Sequence, residues 1–141
     1  MRRILVAIDG SSGALRALEF AVSQAMLAPT ATLHLLMVRD AVNVFGEAAA
    51  YVSEPLLRAG ADQDCRAALE AARARVGSQL PVEIEVLEGD PAETIVRRAA
   101  EVHCESIVMG TRGLGRLELA LMGSVAQKVV HTSRTPVTLV H

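Results

Sequence analysis

The chain has 141 residues, of which 51% are hydrophobic and only 2% aromatic, and it carries a net charge of −2. That length suits a single domain, residues 1–141, burying about two-thirds of its unfolded surface around an aliphatic core. No basic face or single-sign block is present. This argues against nucleic acid and anionic membrane as partners, and the longest apolar runs, ILVAI and LHLLMV, are too short to cross a bilayer.

The opening MRRILVAIDGS has basic residues and an apolar run but no adequate signal-peptide core or small-residue cleavage site. It reads instead as a buried strand over residues 4–8, continuously apolar because it is covered on both faces. SSGALRALEFAVSQAM follows with Leu15, Leu18, Val22, Ala25 and Met26 at helical spacing. A second strand spans 31–38. Residues 39–60 then form a connection of unusual length, expected to build a short helix or flap. In residues 61–80, Cys65, Leu69, Ala72, Val76 and Leu80 define one face of a helix.

VEIEVL, residues 82–87, alternates strictly, which predicts an edge strand with Glu83 and Glu85 facing water. In GDPAETIVRRAAEV, Asp90 is an N-cap, Pro91 fits the first turn and Glu93 completes a capping-box-like pair. SIVMG, residues 106–110, is the fourth strand. A glycine-rich stretch leads to a helix that must stop before Pro136, and VTLV, residues 137–140, closes the chain as a fifth strand. This strand offers only Thr138 as a polar residue, so its apolar edge predicts pairing with a second copy of the chain.

Alternating strands and helices of this kind predict an α/β, doubly wound parallel sheet with helices on both faces. Ligands of such sheets bind beyond the carboxyl ends of the strands, where strand order reverses. The residues at those ends are Asp9, Val38–Arg39, Glu88–Gly89 and Met109–Gly110. Cys65 and Cys104 have neither CxxC spacing nor nearby histidines, which predicts two buried thiols in a reduced, cytoplasmic setting. His34, His103, His131 and His141 show no metal-ligand spacing and are expected to be structural or exposed.

Residues 108–130, VMGTRGLGRLELALMGSVAQKVV, contain Gly110, Gly113, Gly115 and Gly123. Gly110 ends a strand, and Gly123–Ser124 stands where a helix begins. Helix N-termini bind phosphate through unpaired N–H groups, and glycines let the backbone approach the anion. Ser124 is placed to cap the helix or to turn its hydroxyl to a phosphate, and Arg112 and Arg116 supply cationic side chains. A Walker A loop is excluded because no lysine follows a glycine, and GxGxxG fails because Glu118 stands where its last glycine belongs.

The pattern Gly110, Gly113, Gly123, Ser124 does match another family. With ILVAIDGS, LHLLMV, EGDPAETIV and TPVTLV in the same order, the chain resembles the universal stress protein family of the ATP-binding type along essentially its full length. The resemblance implies a Rossmann-like five-stranded parallel sheet in the order 3-2-1-4-5, a homodimer, and an adenine nucleotide between strands one and four. It places Ala7 and Asp9 at the base and ribose, the Val38 backbone on the adenine edge, and Met109 and Gly110 on the nucleoside. Gly113, Gly123, Ser124 and Val125 would cradle the phosphates. Ala7 and Ala126 depart from the family's frequent proline and hydroxyl residue; the latter loss amounts to one hydrogen bond, about 1 kcal/mol.

The expected function is therefore an ATP-binding regulatory dimer, with or without Mg²⁺, and with little or slow hydrolysis. The alternatives are a slow ATPase or phosphotransferase, disfavoured by the missing P-loop lysine, and a family member acting through protein contacts alone. A phospho-receiver domain would need clustered acids where only Asp9 and Glu88 stand.

Overall fold

The computed structural model describes residues 2–40, 54–111 and 122–141. In chain order these form β1 (Arg2–Ala7), α1 (Ser12–Ala25), β2 (Ala31–Arg39), α2 (Glu54–Val76), β3 (Val82–Glu88), α3 (Pro91–Glu101), β4 (Ser106–Gly110), α4 (Ser124–Thr132) and β5 (Val137–Val140). All four strand pairings are parallel, and the sheet order is β3-β2-β1-β4-β5. The order reverses between β1 and β4, which fixes the switch point of the sheet.

Strand alternation divides the core into two layers. Ile4, Val6, Leu33 and Leu35 pack with α1 and α2 on one face, while Leu5, Leu36, Ile107 and Met109 pack with α3 and α4 on the other. Full burial of such side chains contributes about 1.5–3 kcal/mol each. Because both faces are covered, β1 is apolar from Ile4 to Ala7, and β2 is buried from Ala31 to Met37 with Thr32 and His34 its only polar residues there.

Three elements differ from the sequence reading. The buried face of α1 consists of Ala14, Ala17, Leu18, Ala21 and Ala25, with Leu15 and Val22 only half-buried and Met26 exposed. Alanine brings the helix axis close to the sheet, and the larger residues of the same helix flank that contact. Second, α2 begins at Glu54, inside the stretch read as a connection, with Pro55 tolerated in its first turn. Its opening turns carry an exposed Leu56 and no buried stripe to announce them; residues 41–53 of that connection lie outside the described residues. Third, β3 is an edge strand, but Glu85 is not turned to water: it is half-buried and bonded to His34 and Arg98.

Cys104 and Cys65 are free thiols. Burial pushes the Cys104 thiol up to about 11, and Cys65 is half-buried rather than buried. Among the described residues no helix is long and apolar enough to cross a membrane.

Candidate functional site

At the carboxyl edge β1 ends before its neighbours. Its last ladder bond to β2 is donated by the Ile8 N–H to the Leu36 carbonyl, 2.9 Å. β2 continues to Arg39, whose carbonyl accepts from the Gly89 N–H on the β3 side. Because backbone groups alternate along a strand, Val38 points its N–H and C=O to the side that β1 has vacated. Neither group has a partner among the described residues. The result is an adjacent donor and acceptor facing the switch point.

Directly beyond β1, the chain turns at Gly10, whose φ of +83° is in the left-handed region that favours glycine. The turn folds the Asp9 carboxylate onto Ser11: Asp9 Oδ1 accepts from the Ser11 N–H at 2.9 Å and from its hydroxyl. Ser11 Oγ accepts in turn from the Ala14 N–H at 3.1 Å, capping α1. Asp9 is therefore an exposed carboxylate with one oxygen committed to the start of α1. Ala7, half-buried, faces the α3–α4 layer beside it.

Across the switch point, Gly110 closes β4 against the first turn of α1. A Cβ there would stand 3.0 Å from both C and O of Gly13, so no side chain fits without moving backbone. The Met109 side chain is buried in the α3–α4 layer, which leaves only its backbone to face a ligand. Val38 likewise packs its side chain against that layer.

The end of α4 differs from that of α1. Its N-cap is Gly123, with no side-chain cap. Ser124, read from sequence as a candidate cap, is instead the first helical residue and is exposed. The Gly123 N–H is itself used: it donates to the Thr111 carbonyl at 2.6 Å, while the Thr111 N–H donates to Val140 at 3.0 Å. Among the described residues the N–H groups of Ser124, Val125 and Ala126, the first turn that an α-helix leaves unpaired, have no partner; the first intrahelical bond is from Gln127 to Gly123. Thr111 carries no such signal in the sequence, yet its carbonyl docks the α4 terminus onto the end of β4 while its N–H ties that end to β5. Arg112, Gly113, Gly115 and Arg116 lie outside the described residues.

Beside Val38, Arg39 donates to Glu88 Oε2 at 3.2 Å and to the Arg58 carbonyl at 3.0 Å, and Arg58 reaches both oxygens of Glu88 at 3.2 and 3.0 Å. This cluster fastens the first turns of α2 to the ends of β2 and β3. On the other side, Asp90 caps α3 and accepts from Lys128 of α4 at 3.2 Å. Its carboxyl is held below the usual range by the Glu93 N–H first and by Lys128 second. Among the described residues no group of three or more His, Cys, Asp or Glu is arranged to hold a metal ion.

Proteins of known family share this fold. The model of the universal stress protein family matches residues 1–141. The "Universal stress protein in QAH/OAS sulfhydrylase 3'region" of Thermus aquaticus is 34% identical over 99% of this chain and 98% of its own length. Among solved structures, the universal stress protein UspA from Lactobacillus plantarum superposes with a TM-score of 0.82 at 27% identity, covering 99% of this chain and 97% of that one. A universal stress protein in complex with cAMP gives 0.69 at 27% identity, covering 99% and 96%, and one from Archaeoglobus fulgidus in complex with dAMP gives 0.68 at 26%, covering 100% and 98%. With the family pattern spanning every element from β1 to β5, and relatives matched end to end, this chain belongs to the universal stress protein family.

Proposed function

We propose that the protein binds an adenine nucleotide, ATP, at the carboxyl edge between β1 and β4, and acts as a regulatory protein rather than an enzyme. The observation that carries the reading is the pairing of the vacated Val38 N–H and C=O with the uncapped N-terminus of α4 across the same switch point. The first suits the adjacent donor and acceptor of an adenine edge, and the second suits the phosphates. Gly110 keeps the floor between them free of side chain, and Asp9 stands on the base and ribose side, away from the phosphates it would repel. The cAMP and dAMP complexes of structural neighbours support the adenine assignment. Arg112 and Gly113 complete the phosphate loop in this reading, with Gly123 positioning the helix end and Ser124 and Val125 donating. Mg²⁺ would ride on the phosphates.

The test is calorimetric titration of nucleotide-stripped protein with ATP, ADP and AMP, with and without Mg²⁺, alongside a phosphate-release assay. Micromolar ATP binding, about −8 kcal/mol, with weaker AMP binding and negligible turnover is expected. Binding of none of the three would reassign the edge to protein contacts.

The same reading includes a homodimer through β5, in the cytoplasm. Pro136 and Val140 give their carbonyls to β4, so by alternation Val137 and Leu139 present their backbone groups at the open edge of the sheet. An open groove lined by Val130, Ser133, Thr135, Val137 and Leu139 runs beside it. Leu139→Lys is expected to yield monomers in analytical ultracentrifugation, and an unchanged dimer would refute this interface.

A further inference from the structure

His34 lies mid-way along β2, between β1 and β3, with its side chain only 5% exposed. Its Nε2 is 2.8 Å from Glu85 Oε2 and its Nδ1 is 3.3 Å from Glu83 Oε2. Both carboxylates come from the edge strand β3, two residues apart and on the same face. A neutral imidazole has one N–H donor, and its second nitrogen would turn a lone pair toward a carboxylate; only the imidazolium donates to both.

We propose that His34 is a proton-dependent clasp on the edge strand: as imidazolium it holds Glu83 and Glu85 together, and on losing a proton it releases one of them and loosens β3. The charged and titratable groups around it determine how far. From β1, Arg3 Nη1 reaches the same Glu83 oxygen at 3.1 Å. From α3, Arg98 Nε reaches the same Glu85 oxygen at 2.8 Å, and its Nη1 also holds Glu101 at 3.2 Å, which Arg97 shares at 3.1 Å. After α3, the Cys104 thiol feels Arg3, Arg98 and Glu83 but is kept protonated by burial, up to about 11. The two guanidiniums keep their carboxylates when His34 lets go, so β3 loosens without detaching.

The clasp has an acid limit as well. Burial pushes the Glu85 carboxyl up, but hydrogen bonds from Arg98 and His34 outweigh it and hold the group below the usual carboxylate range. Its contribution is therefore complete above the ordinary glutamate range and is lost only as pH falls through the lowered value. Histidine ordinarily changes charge between about pH 5 and 8. Above that acid limit Glu85 stays ionised, and the clasp opens where the imidazolium gives up its proton.

The experiment is native-state hydrogen exchange by NMR on the full chain from about pH 5.5 to 8.5, expressed as protection factors. Because Pro81 and Gly89 bond to β2, alternation assigns the ladder amides of β3 to Glu83, Glu85 and Leu87. Their protection is expected to fall about tenfold relative to β1 amides as the His34 ring nitrogens report loss of a proton, the effect of one hydrogen bond to a charged group. In His34→Gln, whose amide does not titrate, the ratio should stay flat. A similar fall in that variant would overturn the proposal. Should that variant not fold, the unmodified protein still decides: ring titration with no matching inflection in β3 protection overturns it, and a matching inflection supports it.

Discussion

Two helices start at the carboxyl edge on either side of the switch point, and their ends are finished in opposite ways. At α1 the Ser11 hydroxyl caps the Ala14 N–H, Asp9 holds Ser11 in place, and Gly10 makes the turn that lets it do so. At α4 the cap position is glycine, and its own N–H is spent on docking the helix to Thr111. The first end satisfies itself within the chain. The second leaves its leading donors without a partner among the described residues, at the positive end of the helix dipole. The contrast is the ground for placing the phosphates of the proposed nucleotide at α4 and not at α1. The α3 end falls with α1, since Asp90 caps it and Lys128 balances the carboxylate.

The comparison breaks most sharply if α4 is given a cap of its own. Gly123 has φ −68° and ψ 158°, extended values that any residue adopts, so Gly123→Asp imposes no backbone strain. The carboxylate would serve the α4 end and stand where the phosphates belong. A repulsion of about 4 kcal/mol for two charges 4 Å apart near a surface predicts ATP affinity lower by a hundredfold or more. Thermal stability should hold or rise slightly, because aspartate improves on glycine at a cap by only a few tenths of a kcal/mol. Undiminished ATP binding by a folded Gly123→Asp protein would remove the α4 end from the site.

What could be read from sequence, and what could not, follows the same division between local and non-local signals. Strand β1 is legible because a strand covered on both faces is continuously apolar, as ILVAI is. Asp90 and Pro91 were legible because a helix start is written within four residues. The face of α1 was misread toward its larger side chains, since the closest contact with the sheet is made by alanines, which carry little periodic signal. The role open to Val38 depends on β1 stopping two residues short of it, a fact about neighbouring strand lengths that no side chain records; only the family resemblance pointed there. His34 was read as structural or exposed. Its partners Glu83 and Glu85 lie 49 and 51 residues away in the chain, and their alternation looked like simple exposure to water until the register placed them beside it. Ser124 was offered as a cap because a hydroxyl residue follows Gly123, but the helix starts one residue earlier than that role requires.

A smaller effect sharpens the comparison from the α1 side. Ser11→Ala removes the cap hydroxyl and leaves the buried Ala14 N–H without its partner, which should cost about 1–2 kcal/mol in urea denaturation, the upper part of the range for losing a serine cap. If the α1 end is architecture, ATP affinity should stay within about threefold of the original, since the Ser11 hydroxyl bonds Asp9 and the Ala14 N–H within the chain. A loss approaching that of Gly123→Asp would mean that Asp9, steered by Ser11, carries much of the nucleotide's grip. Both helix ends would then belong to one binding device, with the capped terminus aiming a carboxylate at the ribose as the bare one receives the phosphates.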